Sequence, residues 1–226
     1  MGPGDAPRFV GDSVRIETPL PVLDYRPVQG CIANWIFAIP PTGGNTLQEL
    51  NDAREAFNQW TGACPSSCKQ TMDDVRRWIG GGAAADPTAL MILAHHSDKG
   101  ISFDEFNAMT DKGIGITFQK PSIAVLDACG GAGPGAYAFA EKLNQQGVSA
   151  IITPVTNIDS RMAGAYFAAL AERLLKGSED GDYTLAWAHM NALRDLEKQA
   201  GSKALTFMLL GNGDLKLCAP PKSAQP

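Results

Sequence analysis

Short apolar runs alternate along the chain with segments whose apolar residues recur at helical spacing. The runs that predict buried strands are 32–39, 89–94, 122–126, 148–153 and 204–210. The segments that predict helices are 46–60, 71–79, 136–146, 159–175 and 183–199. Strands that alternate with helices predict an α/β fold, with a mostly parallel central sheet covered by helices on both faces. The direction of the last strand stays open, because two helices precede it.

A strand that ends in a cysteine is the most informative stretch. The run at 122–126 continues as D-A-C-G-G-A-G-P-G, so that Cys129 lies where the strand ends and a glycine-rich turn begins. Ligands bind at the carboxyl ends of strands in open α/β sheets, so this position suits a nucleophile. The alternative is a buried and inert cysteine, since free cysteines are among the most buried residues.

A second strand ends in two histidines, His95 and His96. Neighbouring parallel strands end at the same edge of the sheet, which predicts that an imidazole and the Cys129 thiol face one cleft. The thiolate is the nucleophile, and a histidine can take the thiol proton and later protonate a leaving amine. The backbone N–H groups of Ser97 and Cys129 are candidates for an oxyanion hole. His189 falls within a predicted helix, where a structural role is expected.

Length and charge restrict the class of protein. The chain has 226 residues, which suits one large domain, and its formal net charge of −5 argues against a general nucleic-acid binder. No apolar run reaches membrane-spanning length, and the start M-G-P-G-D-A-P-R lacks the apolar core of a signal peptide. We therefore expect a soluble, cytoplasmic protein. Its predicted parts are an arm at 1–30, a domain at 31–218 and a disordered tail at 219–226.

The cysteines do not suggest a disulfide framework. There are five, an odd number at irregular spacing, and C-P-S-S-C at 64–68 predicts a loop with two free thiols. A zinc site would need two further ligands near that pair, and the chain offers only three histidines and no second cysteine pair. We therefore expect neither a metal nor another cofactor.

Two stretches resemble a known fold. H-H-S-D-K-G-I-S-F, followed by a strand ending in D-A-C-G-G, is similar to the caspase-haemoglobinase fold of clan CD cysteine peptidases. The region from I-T-P-V-T-N-I-D-S-R to F-M-L-L-G-N-G-D-L-K-L is similar to CHAT domains. The resemblance implies a three-layer sandwich and a cysteine endopeptidase with a His-Cys dyad. It also implies a protein or peptide substrate and control by a sensor domain or partner protein.

The resemblance also assigns the dyad. Its histidine is followed four positions later by glycine, and Gly100 stands four positions after His96, so His96 and Cys129 are the implied pair. The family usually has glycine directly after the histidine, and its N–H serves the oxyanion hole. Ser97 replaces it here and keeps that N–H, although a backbone with positive φ would strain a serine.

Asp127 is the candidate for substrate specificity. It precedes Cys129 by two positions, so both lie on one face of the strand. The resemblance to metacaspases, which carry Asp-x-Cys, implies an S1 pocket for Arg or Lys. The alternative is a helix cap. Asp159 is a second candidate for this pocket, and it also predicts an N-cap for the helix that follows.

Two other readings stay open. The first is a catalytically inactive CHAT-like module that binds or regulates partners. The second is a flavodoxin-like binder that uses the glycine-rich turn at 130–135 as a phosphate loop. That turn lacks both the spacing and the lysine of G-x-x-x-x-G-K-[ST], which disfavours the second reading.

Overall fold

The computed structural model describes residues 30–61, 67–97, 99–129, 134–155, 157–180, 184–200 and 207–218. The tail at 219–226 and the arm, except Gly30, lie outside these residues, so the boundaries of the predicted domain stay predictions. Among the described residues, no helix combines the length and the apolar character needed to cross a bilayer.

Nine strands and five α-helices make up the described chain. The strands are β1 Asn34–Ala38, β2 Cys68–Lys69, β3 Ala84–Ala85, β4 Thr88–Ser97, β5 Gly100–Ser102, β6 Thr117–Phe118, β7 Ile123–Cys129, β8 Ala150–Pro154 and β9 Phe207–Gly211. The helices are α1 Gln48–Thr61, α2 Met72–Gly80, α3 Pro134–Gln145, α4 Ser160–Asp180 and α5 Leu185–Ala200, with a short 3-10 helix at Asp111–Gly113.

The central sheet is mostly parallel, as predicted. Its strands follow the order β2-β1-β4-β7-β8-β9, with β5 added beside the end of β4. All neighbours on this path are parallel except β9, which runs antiparallel to β8 and so settles the direction that the sequence left open. β5 is also antiparallel to β4, and β3 and β6 form a separate parallel pair.

Helices cover both faces of the sheet and complete the predicted three-layer sandwich. On one face, Met91 and Val125 belong to a core that includes residues of α1, α4 and α5. On the other face, Leu90 and Leu126 belong to a core with residues of α2 and α3. β4 and β7 therefore contribute alternate residues to two different cores, and the face on which a residue lies decides its neighbours.

Disulfide bonding contradicts the expectation of free thiols. Cys31 and Cys218 form a disulfide, with their Cα atoms 4.8 Å apart. A parallel bridge between Ile32 and Leu217 brings these cysteines together. Cys68 is disulfide-bonded as well, and its partner is not among the described side chains. The prediction was wrong because a pair separated by 187 residues leaves no pattern in the spacing of the cysteines.

Candidate active site

The carboxyl ends of β4 and β7 lie side by side at the centre of the sheet. Their parallel register pairs Leu93 with Asp127 and His95 with Cys129. Only the backbone of Cys129 is described, so this register fixes its place. The glycine-rich turn at 130–133 lies outside the described residues. The backbone register thus places His95 opposite the candidate nucleophile, and the cleft shared by the two side chains stays a prediction.

The alternation of the two strands separates the two histidines. Leu93 and Val125 belong to the core on the α4 side, so position 95 and positions 127 and 129 lie on that face. His96 lies on the opposite face, where it packs against α3. The structure therefore aligns His95 with Cys129 and places the predicted partner, His96, on the other side of the sheet.

The surroundings of His96 are apolar. Only 3% of the residue is exposed, and its ring meets the Phe139 ring edge-on, with centroids 6.3 Å apart. Within the described part of the chain, neither ring nitrogen has a hydrogen-bond partner. Burial, together with the charge of His95, lowers the pKa of His96 to about 4. Such an imidazole is a weak proton acceptor at neutral pH. The spacing to Gly100, which favours His96, counts positions along the chain. It carries no information about the face of the sheet on which the side chain lies.

A short hairpin holds the end of β4. β5 returns along β4 from Gly100, whose φ is +121°, and a Cβ atom there would lie 2.1 Å from the Met109 carbonyl oxygen. Glycine is therefore required at this position. Ser97 is exposed and belongs to β4, and no described non-glycine residue has a positive φ. The serine is thus unstrained, and its role in an oxyanion hole stays a prediction.

Asp127 is a buried carboxyl group within β7, and it does not cap a helix. Its exposure is 0%, and no described residue forms a hydrogen bond with either carboxyl oxygen. Burial raises the pKa of Asp127 well above its usual range. An ionised carboxylate in such a place is costly unless a cation compensates it. Because the group is fully covered, a substrate can reach it only if neighbouring groups move.

A buried tyrosine–histidine pair lies beside Asp127. The Tyr166 hydroxyl, from α4, is 2.5 Å from Nδ1 of His189, from α5. The Tyr166 ring stacks on Phe207 with centroids 3.8 Å apart. Burial and the neighbouring Asp127 raise the pKa of Tyr166, and burial lowers the pKa of His189 to about 4. No pattern in the sequence predicts this pair, because it joins two helices at positions 23 residues apart.

Asp159 caps α4, as the sequence predicted. Its Oδ1 atom accepts hydrogen bonds from the backbone N–H groups of Arg161 at 3.0 Å and Met162 at 3.4 Å. This engagement accounts for the residue locally. Its second predicted role, in the S1 pocket, stays a prediction. Within the part of the chain that the structure describes, no group of three or more His, Cys, Asp or Glu residues could hold a metal ion.

Solved structures of a bacterial cysteine proteinase share this architecture. A complex of the pro- and mature domains of Porphyromonas gingivalis RgpB matches with a TM-score of 0.51 and 15% identity, over 84% of this chain and 49% of that chain. The Arg-specific cysteine proteinase gingipain R matches with a TM-score of 0.54 and 14% identity, over 83% and 48%. The chain has the caspase-haemoglobinase fold.

The match covers only part of each solved structure. This chain spans about half the length of these solved structures. No family model matches the chain, and no curated protein matches it. The comparisons support the fold of clan CD and do not single out CHAT domains, so the narrower resemblance stays a prediction.

Proposed function

We propose that the protein is a cysteine peptidase of the caspase-like clan, with Cys129 as its nucleophile. The observation that carries this proposal is the register that pairs His95 with Cys129 at the carboxyl edge of β4 and β7. The fold of the cysteine proteinases that resemble this chain supports it. The two residue types are those that thiol-based acyl transfer requires.

We assign the acid/base role to His95 and not to His96. His95 takes the proton of the Cys129 thiol, and the resulting thiolate attacks the scissile carbonyl carbon. The tetrahedral intermediate collapses to a thioester as the protonated imidazole gives its proton to the leaving amine. Water then hydrolyses the thioester and regenerates the thiol. The backbone N–H groups of Ser97 and Cys129 are the proposed donors to the oxyanion.

We propose that the enzyme cleaves after Arg or Lys and that Asp127 receives the basic side chain. Asp127 lies two positions before Cys129 on the same face, and among the described residues no cation compensates its buried carboxyl group. A substrate cation would remove the cost of ionising this carboxyl, whereas an acidic side chain would meet repulsion. One of the similar proteinases is described as Arg-specific, which agrees with this assignment.

Two separate observations support proposals for the compartment of the protein and for the regulation of its activity. The disulfides involving Cys31, Cys218 and Cys68 are typical of proteins in oxidising environments, so we propose such a compartment in place of the cytoplasm. One of the similar structures holds a pro-domain together with its mature domain. A regulatory domain or partner of this chain is a proposal that this likeness and the resemblance to CHAT domains support.

A matched set of fluorogenic peptides that differ only at P1 tests the function. Wild type should release the fluorophore after Arg or Lys, and an acyloxymethyl ketone with P1 Arg should label it covalently. Cys129→Ala should lose labelling and on the order of 10⁴-fold or more in kcat, while its circular dichroism spectrum stays that of wild type. If wild type and Cys129→Ala are equally inactive toward every peptide and neither is labelled, the chain is a binding module.

A further inference from the structure

Asp127 is completely buried, and no residue in the described part of the chain bonds to its carboxyl group. Its exposure is 0%, and among the described residues neither carboxyl oxygen has a hydrogen-bond partner. Buried polar groups in native proteins are nearly always hydrogen-bonded, so an orphaned carboxyl group needs an explanation. Burial alone accounts for the rise of its pKa, since no charged neighbour contributes among the described residues.

The titratable groups around Asp127 come from three elements. Tyr166 approaches from α4, and the electrostatic effect of Asp127 on its pKa shows that the two are close. His189, from α5, is bonded to the Tyr166 hydroxyl. His95 lies on the same face of the neighbouring strand, two positions beyond Leu93, the register partner of Asp127. Tyr166 and His189 are both uncharged at neutral pH, because their pKa values are shifted away from that range.

We propose that the free protein holds Asp127 as a neutral carboxylic acid and that a basic P1 side chain ionises it on binding. This inference rests on the proposed function, because it takes Asp127 as the group that receives P1. The O–H bond of the carboxyl group breaks, the proton leaves to the solvent, and the carboxylate pairs with the bound guanidinium or ammonium. Binding of one basic side chain thus releases one proton.

The coupling makes selectivity depend on pH. At pH values below the pKa of the Asp127 carboxyl group in the free protein, the group must be ionised before it can pair with the ligand. Each increase of one pH unit therefore raises the affinity for a basic ligand by up to about tenfold. At pH values above this pKa, the affinity no longer changes with pH. An uncharged P1 side chain gains nothing from ionisation, so its affinity does not follow this curve.

Infrared difference spectroscopy tests the neutral acid without any ligand. At pH 7, the spectrum of Cys129→Ala minus the spectrum of the double variant, Cys129→Ala with Asp127→Asn, should show one carboxylic-acid C=O band. The double variant lacks the carboxyl group that gives this band. Absence of this band would overturn the inference. The Cys129→Ala background excludes any contribution from turnover or from the thiol.

Calorimetry in two buffers of different ionisation enthalpy tests the release of the proton. The probes are an N-acetylated tripeptide amide ending in Arg and the same peptide ending in norleucine, added to Cys129→Ala. The Arg peptide should release about one proton and should bind on the order of 100-fold more weakly once Asp127→Asn is introduced. Tyr166→Phe is the matched control, because Tyr166 is the other buried acid of this cluster. Proton release should persist in that variant.

The outcomes separate the inference from the proposed function. Preference for the Arg peptide without proton release means that Asp127 is already ionised, which overturns the inference and leaves the P1 assignment intact. Equal binding of the two peptides, or binding of neither, overturns the P1 assignment and the inference together. Release that disappears in Tyr166→Phe and persists in Asp127→Asn assigns the proton to the tyrosine, which also overturns the inference.

Discussion

The two faces at the carboxyl ends of β4 and β7 differ in what they offer. On the α4 side lie His95, the backbone position of Cys129 and the carboxyl group of Asp127, with the Tyr166–His189 pair behind them. On the α3 side, His96 packs against Phe139 and has no hydrogen-bond partner among the residues that the structure describes. Two adjacent histidines of one strand therefore have environments suited to different roles.

The comparison teaches that strand alternation can outweigh spacing along the chain. A displacement of one residue moves a side chain to the other face of a sheet. His96 satisfies the spacing to Gly100, and His95 satisfies the register with Cys129. Proton transfer needs hydrogen-bond reach, which is why we propose the register partner, His95, as the acid/base group.

The largest effect on kcat is expected when the histidine on each face is replaced in turn. His95→Ala should lower kcat for a P1 Arg peptide by about 10²–10⁴-fold, because it removes the proposed acid/base group. His96→Leu should lower kcat by less than about tenfold, because the His96 side chain packs against Phe139 on the opposite face of the sheet. Both are measured with the fluorogenic peptides and compared with Cys129→Ala.

The reverse ranking would break the comparison. A large loss in His96→Leu with activity retained in His95→Ala would restore the assignment by spacing and would show that the chain near the nucleophile rearranges. Retained circular dichroism spectra are the control, because a variant that does not fold would imitate a catalytic loss.

The general fold could be predicted from the sequence because its signals are local. Apolar runs and helical periodicity gave the parallel sheet, the three layers and the strand-end positions of Cys129 and His95, and the resemblance to clan CD gave the fold class. What the sequence did not fix depends on distant contacts. The face of each histidine, the Cys31–Cys218 bond and the Tyr166–His189 pair all join segments whose proximity only the folded chain creates. Complete burial of Asp127 belongs to the same class.

The disulfide between Cys31 and Cys218 should stabilise the folded protein as a whole and not one face of the sheet in particular. Replacing both cysteines by alanine should lower the free energy of unfolding by about 2–5 kcal/mol, because a long loop of the unfolded chain is no longer closed. Urea denaturation of wild type and the double variant measures the loss. At a temperature where both are folded, kcat should be nearly unchanged. A loss of kcat without a loss of stability would instead place this bond in direct contact with the site.

Gly100→Ala should disturb the end of β4, which carries both histidines. The new Cβ atom would collide with the Met109 carbonyl oxygen, and φ of +121° is unfavourable for alanine. We expect a loss of about 1–3 kcal/mol in stability and a lower kcat. Gly43→Ala is the matched control, because Gly43 also has a positive φ, +84°, yet nothing lies within 4 Å of its added Cβ atom. Equal losses in the two variants would show that backbone strain alone accounts for the effect.

The smallest expected effect concerns the stability of the α3 face. His96→Leu removes two buried nitrogens that have no hydrogen-bond partner among the described residues. At pH 7 the free energy of unfolding should therefore change little or should rise by up to about 2 kcal/mol. The pKa of His96 is about 4 in the folded protein and about 6.5 in the unfolded chain. As the pH falls through this window, the unfolded state takes up a proton that the folded state refuses, and stability is lost. The variant should therefore show a flatter decline between pH 6.5 and 4.

Asp127→Asn supplies the opposite control on the α4 face. The pKa of Asp127 is raised in the folded protein, so its contribution to stability falls as the pH rises from about 3.8 towards that raised pKa. This loss partly offsets the stability gained over the same range as the buried histidines lose their proton in the unfolded chain. Removing the Asp127 carboxyl group should steepen the rise of stability with pH over the same window in which His96→Leu flattens it. Thermal unfolding of the two variants across this range measures both slopes. Parallel curves for the two variants and wild type would mean that neither group keeps its buried, uncharged state, and the contrast between the faces would then rest on position alone.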